Sequence, residues 1–260
     1  MKFFLPLLLA IVSFSTFSAP KSELWPYWNK SNESSAAVID HQAWQQLLDQ
    51  YLVSKSDYTL FKYSSVSERD KQVLTNYLER LSKTDPLSLN KAQQYAYWVN
   101  LYNAITVKLI LDDYPVKSIT KLGGLFSFGP WGDDVITING KTLTLNDIEH
   151  RILRPIWQDP RTHYAVNCAS LGCPNLQHKA FTADNTETLL EQAAKSFINS
   201  DKGVLLNDNG AQLSSIYDWF SEDFGDKSQL IKHLSQYRPD LGTLSGKISY
   251  DYDWSLNEAK

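Results

Sequence analysis

The sequence predicts an α+β fold, a mostly helical single domain with a small antiparallel sheet made of hairpins. Two observations carry that prediction. Apolar residues recur at helical spacing in consecutive blocks over the first half of the chain. Short β-type runs joined by Asn-Gly and Asn-Asp-Asn-Gly turns come only later, interleaved with further helical blocks. Helices first and hairpins afterwards argue against a doubly wound parallel sheet.

The chain opens MKFFLPLLLAIVSFSTFSAP. A positive Lys2, an apolar run from Phe3 to Val12 and small residues up to Ser18 read as a secretory leader over residues 1–18. The run is short for a spanning helix, which needs about 20 residues. Cleavage after Ser18 leaves Thr16 and Ser18 at the small-residue positions, whereas cleavage after Ala19 would place Phe17 there. No lipobox-like cysteine stands at the junction, so the expected location is the periplasm or the exterior. Residues 19–39 form a polar arm pinned by Trp25, Pro26 and Trp28, and residues 40–260 form the domain.

Asp40 starts a helix carrying Trp44, Leu47, Leu48 and Tyr51. Val66, Asp70, Val73, Leu74, Tyr77, Leu78 and Leu81 line one stripe of a second helix, begun by Ser65 or Ser67 and ended by Asp85-Pro86. Asn90 caps a third, from Lys91 to Leu111, which is apolar on nearly all sides and therefore central and buried. Lys121 to Asp134 is a glycine-rich aromatic loop that lacks the Gly-Lys-Ser/Thr of a phosphate loop. Val135 to Ile138 and Lys141 to Leu143 flank Asn139-Gly140 as a hairpin with a primed turn. A helix from Asn146 to Trp157 and a strand from Arg161 to Val166 follow. Further on come a helix from Thr186 to Asn199, a hairpin over Val204–Leu206 and Ala211–Leu213, and helices Tyr217–Phe224 and Ser228–Tyr237. Lys247 to Tyr252 forms a last strand.

A net charge of -4 gives no electrostatic footprint for nucleic acid. Beyond the leader no apolar stretch approaches spanning length and no basic amphipathic helix is present, so no stable membrane insertion is expected. Eight tryptophans and fourteen tyrosines supply packing area, and a minority of them are available to line a groove for peptide or sugar.

Chemistry concentrates in HYAVNCASLGCPNL, residues 163–176, which holds both cysteines. A cysteine nucleophile acts as thiolate and needs a base or a positive surrounding. His150 and His163 are the candidate bases. On a regular strand His163, Ala165 and Asn167 share one face and Cys168 points the other way, which favours His150. Glu149 either orients His150 or closes a capping box with Asn146. Two cysteines in an exported chain also suggest a Cys168–Cys173 disulfide, and both readings stay open. No pair of ligand-type residues has a strong metal-binding spacing, so neither metal nor cofactor is expected. Asn100 and Asn103, inside the most apolar helix, either tie loops to it or face a polar cleft.

YWVNLYNA (97–104), LTLNDIEHRILR (143–154), DPRTHYAVNCASLGCPNL (159–176), LSSIYDWFSEDFG (213–225) and YDYDWSLNE (250–258) together resemble the domain of unknown function 547 family. That resemblance implies site positions at Asn100, Asn103, Glu149, His150, Arg154, His163, Asn167 and Cys168. Plant members of the family commonly have serine where Cys173 stands, which moves weight to Cys168 as the functional sulfur. Two functions follow as expectations. The first is a cysteine-dependent hydrolase or acyltransferase for peptide-like substrates, loosely similar to papain or transglutaminase enzymes. In it Cys168 is the nucleophile, His150 the base, Asn167, Asn100 or Asn103 the orienting amides, and the loop around Trp131 the groove wall. The second is a non-catalytic module that binds peptide, glycan or another exported protein, with Cys168 and Cys173 joined.

Overall fold

The computed structural model describes residues 19–124 and 128–260, so the expected leader of residues 1–18 lies outside the described residues. Asp40 accepts the Gln42 N–H at 2.8 Å and starts α1 (Gln42–Tyr51), whose buried stripe is Trp44, Leu47, Leu48 and Tyr51. The Ser67 hydroxyl accepts the Asp70 N–H and caps α2 (Glu68–Ser82). Between them β1 (Leu52–Lys55) and β2 (Tyr58–Phe61) form an antiparallel hairpin that the sequence does not announce. Its turn uses Ser56 at φ 50 rather than a glycine, so the usual turn signal is missing.

α3 (Lys91–Asp112) is the axis of the fold, and α2 packs along it. Asn90 caps it as expected, and every residue from Gln93 to Val107 is buried. Burial on all sides obliges its polar side chains to find partners. The Asn100 carboxamide donates to the Phe181 carbonyl at 2.8 Å and accepts from the Phe181 N–H at 3.0 Å. Asn103 donates to the Ala165 carbonyl at 2.9 Å and accepts from the Asn167 N–H at 2.8 Å. Both amides act as detached peptide groups that bolt loops to the helix.

The hairpin of β3 (Ile136–Ile138) and β4 (Lys141–Leu143) has Asn139 and Gly140 both at positive φ, as a primed turn requires. The next helix departs from the regular one expected. It is a π-helix over Asp147–Leu153 that tightens into α4 (Arg154–Trp157), with the Arg154 N–H donating to the Glu149 carbonyl. Pro155 has no N–H to offer His150 or Arg151. The polar arm supplies the missing donors: Glu23 N–H bonds the His150 carbonyl at 2.9 Å and Trp25 N–H the Arg151 carbonyl at 3.0 Å. The capping box is also displaced, formed by Thr144 and Asp147 and not by Asn146 and Glu149.

The expected strand at Arg161–Val166 is a helical turn, α5 (Thr162–Ala165). Asp159 turns the chain there by accepting from the Arg161 and Thr162 N–H groups. All four residues of α5 are buried, so the apparent alternation carried no facing information. Arg161 then ties this turn to α6 (Thr186–Ile198) through Glu187 and Glu191.

The rest of the chain forms a three-stranded sheet in which β5 (Val204–Asn207) pairs antiparallel with β6 (Gly210–Ser214), and β7 (Lys247–Asp251) adds parallel to β6. The other hairpins stay separate, so the fold is α+β with small sheets. The expected helix at Tyr217–Phe224 is broken at Phe220 into α7 (Ile216–Trp219) and α8 (Ser221–Phe224), followed by α9 (Lys227–Tyr237). One apolar core surrounds α1 to α3, and a second gathers Tyr164, Phe197, Tyr217, Phe224 and Leu234 beneath the sheet. Among the described residues no helix is long and apolar enough to cross a membrane.

Replacing Asn103 by Ala strands two buried backbone groups and is expected to cost about 1–3 kcal/mol of stability. Urea unfolding measures this, and an unshifted midpoint would refute the bracket's role.

Candidate functional site

A cavity of about 280 Å³ opens where the two cores meet, and Cys168, Cys173, Glu149, His150 and His163 all line it. Cys168 and Cys173, for which both readings were open, are both free thiols in this structure.

Cys168 sits one residue past the Asn103 bracket and one before Ala169, a buried non-glycine residue at φ 59. Strained backbone of this kind persists where surroundings enforce it. Asn167 does the enforcing: its carboxamide accepts from the Ala169 N–H at 2.9 Å and donates to the Pro174 carbonyl at 2.8 Å. The chain end closes the loop's other edge, with Leu171 and Gly172 donating to the Ser255 and Asp253 carbonyls. A side chain at Gly172 would lie 2.7 Å from the Asp253 backbone nitrogen, which accounts for glycine in this motif.

The Cys168 sulfur lies 3.0 Å from both the Ser170 and the Tyr252 hydroxyls. Burial opposes its ionisation, but hydrogen bonds from Cys173, Ser170 and Tyr252 outweigh it and hold the thiol below its ordinary value. Burial, and then the neighbouring Cys168, push the Cys173 thiol well above its own. Cys173 Sγ accepts the Cys168 backbone N–H at 3.0 Å. Lys202 holds the Cys173 carbonyl at 2.7 Å, with its ammonium lowered to about 8 by burial.

The other end of the cavity is a buried chain of polar groups. Arg154 donates to Asp223 at 2.5 Å, to the Pro20 carbonyl at 2.9 Å and to His150 Nδ1 at 3.0 Å. A guanidinium has only donors, so His150 Nδ1 is the acceptor and the neutral ring carries its proton on Nε2. Burial lowers His150 to about 4, with Arg154 adding to the shift and Glu149 opposing it. A ring whose free lone pair is already bound to a cation is a poor proton acceptor, which sets this geometry against the expected role of His150 as base.

His163 is arranged the other way. Its Nε2 bonds Asp223 Oδ2 at 2.6 Å, while its Nδ1 is buried without a hydrogen-bond partner, 3.8 Å from Glu149 Oε1. Phe220 stacks on its ring at 4.1 Å. Burial alone would raise the Asp223 carboxyl, but bonds from His163 and Arg154 hold it at about 2. Asp223 is therefore an acceptor, His163 Nε2 a donor, and Nδ1 the nitrogen with a lone pair to spare. The helical turn at α5 makes this possible, since the strand geometry expected from sequence turned His163 away.

Aromatic rings form the wall. Trp254 contacts Trp131, Trp219 and Tyr252 with ring centroids at 5.7, 5.5 and 4.5 Å. Trp131 lines the cavity as expected. Asn100, Asn103 and Asn167 do not line it. Their amides bond backbone groups, away from the cavity in which they were expected to act. Arg154 likewise holds neighbours in place. Sequence reading missed Asp223, Phe220 and Trp219 within LSSIYDWFSEDFG, Tyr252 and Trp254 within YDYDWSLNE, and Ser170 and Lys202. Apart from Lys202, their signal lay in blocks already marked, but only the fold shows which side chains turn inward. Among the described residues no group of three or more His, Cys, Asp or Glu converges to hold a metal ion.

Residues 86–198 match the family model described as Protein of unknown function, DUF547, in agreement with the resemblance read from sequence. The match contains Glu149, His150, His163 and Cys168, while Asp223 and Tyr252 lie beyond it, within the two C-terminal blocks of that resemblance. Comparison with curated proteins and with solved structures gave no match, so the expected likeness to papain or transglutaminase enzymes has no counterpart there.

Burial holds His41, His150 and His233 at about 4 in the folded chain. Unfolded imidazoles protonate near 6.5, so between about 6.5 and 4 the unfolded chain binds more protons. Stability contributed by these neutral rings is complete above that window and lost as pH falls through it. Thermal unfolding is expected to show a midpoint that drops steadily from pH 6.5 to 4, with a shallower drop for His150→Asn. A flat profile would overturn the assignment.

Proposed function

For this DUF547 protein we propose cysteine-dependent acyl transfer or hydrolysis on peptide-like substrates, in the periplasm or outside the cell, following export by the leader. The observation that carries this reading is one cavity shared by a sulfur under several donors and a buried histidine with an unoccupied nitrogen. Cys168 attacks the carbonyl carbon and its thiol proton passes to His163 Nδ1, while Asp223 accepts from Nε2 and steadies the imidazolium. His150, neutral with its proton on Nε2, serves as a donor to the developing oxyanion. The carbon–nitrogen bond breaks, the proton on His163 leaves with the amine, and a thioester remains for water or a second nucleophile. The aromatic wall around Trp254 bears the substrate's apolar part. Its extent also favours a second reading, a module that binds peptide or glycan without turnover.

Alkylation by iodoacetamide separates the two. Cys168 is expected to react at neutral pH at least about tenfold faster than Cys173, because only a thiolate attacks. His163→Ala should slow it, and Cys168→Ser should remove the fast phase. An unreactive Cys168 in native protein, or one indifferent to His163→Ala, would leave the binding module as the reading.

A further inference from the structure

Glu149 has no part in the thiol chemistry, yet its carboxylate is buried and lines the cavity. Buried carboxylates are ordinarily paired, because an unpaired buried charge is costly. Asp223 is paired, through Arg154 and His163. For Glu149 the nearest basic nitrogens are His163 Nδ1 at 3.8 Å and His150 Nδ1 at 4.0 Å, both beyond hydrogen-bond range. His150 is neutral, and its Nδ1 is already taken by Arg154. The hydroxyl of Tyr102, itself uncharged, donates to the Glu149 carboxylate, its ionisation suppressed by burial and then by Glu149. Among the described residues no Lys or Arg forms an ion pair with Glu149, whereas Asp223 has Arg154.

His163 gives a second and independent sign. Its Nδ1 is an acceptor buried without a donor, facing the same space. A ligand that brought both a positive charge and several N–H groups would satisfy Glu149 and His163 together. Trp219 and Tyr252 line the same space, and aromatic rings attract cations as well. An anion would meet Glu149, and a neutral hydroxyl would satisfy the acceptors but leave the charge uncompensated.

We propose that the cavity holds a primary ammonium group between Glu149 and His163, against the aromatic wall. In the acyl-transfer reading this is the place of the amine that leaves or attacks, but binding itself does not require Cys168. The ammonium has two possible sources. One is a free amine from outside. The other is the chain's own α-amino group, that of Ala19 once the leader is cut after Ser18, since Ala19 and Pro20 line the same cavity and Arg154 holds the Pro20 carbonyl.

Tryptophan fluorescence tests this with benzylammonium against its neutral twin, benzyl alcohol. Two proteins are titrated, the chain beginning at Met1 and the chain beginning at Ala19, each also as Cys168→Ser so that binding is read apart from reactivity. At least about a tenfold preference for benzylammonium is expected, equivalent to about 1.4 kcal/mol, and Glu149→Gln should abolish it. If the Ala19 chain shows the preference, the ammonium is external. If only the Met1 chain shows it, the chain's own terminus fills the site after cleavage. Equal binding of the two probes by both proteins, or a preference that survives Glu149→Gln, overturns the proposal. The comparison of probes on the unsubstituted proteins needs no variant to fold, and Cys168 alkylation reports separately on the thiol.

Discussion

A helix buried on every side sets the terms for this fold. Over Gln93–Val107 α3 has no solvent face, so every polar group it carries has to be answered from within. Asn100 and Asn103 answer by completing two-bond bridges to the backbone at Phe181 and at Ala165 and Asn167. The second bridge ends one residue short of Cys168. A further carboxamide, that of Asn167, then fixes Ala169 and Pro174. The sulfur is therefore positioned by a relay of amides that begins in the core, and the rigidity of α3 is passed to the loop. The strained φ of Ala169 is tolerated because hydrogen bonds on both sides determine that backbone.

The arm is held by a comparable necessity on the opposite side of the cavity. Pro155 has no N–H to give where the π-turn passes into α4, and there the carbonyls of His150 and Arg151 accept from the arm. Glu23 and Trp25 are the donors, and Arg151 covers Trp25 with its guanidinium at 4.5 Å. Trp28, fully buried against Trp98, locks the arm to α3. A segment that looked like a surface tether in sequence thus completes the helix bearing Glu149 and His150, and brings Ala19 and Pro20 to the cavity.

Sequence periodicity revealed what burial patterns encode. α1, α2 and α6 were legible from their apolar stripes, α3 from its length, its all-round apolar character and its Asn90 cap, and the Asn139-Gly140 hairpin because two positive φ angles demand such residues. Periodicity failed in short segments without a stripe. In α5 all residues are buried, so helix and strand read alike, and a one-residue difference in facing decided which histidine seemed available. The β1–β2 hairpin lacked a turn signal, and the break at Phe220 lacks a glycine or proline to mark it. Of the candidate site, Cys168, His150, His163, Glu149 and Trp131 do meet at the cavity, because chemistry-bearing residue types are visible in any sequence. Which amides are structural, and which nitrogen of each imidazole is free, follows only from partners hundreds of atoms away along the chain.

Those partners divide otherwise similar residues into different chemical kinds. Two histidines face one cavity, but a cation on His150 Nδ1 makes that ring a donor, while a carboxylate on His163 Nε2 makes that ring an acceptor. Two cysteines lie side by side, but Ser170 and Tyr252 reach the sulfur of one, and the other meets the Val166 carbonyl, an acceptor. Donors favour a thiolate and acceptors a thiol, so the same loop shifts the two sulfurs in opposite directions. Asp223 is the hinge of the arrangement on the nitrogen side. It holds Arg154 toward His150 and His163 toward the cavity at once, so removing that single carboxylate would release both rings and erase the difference between them.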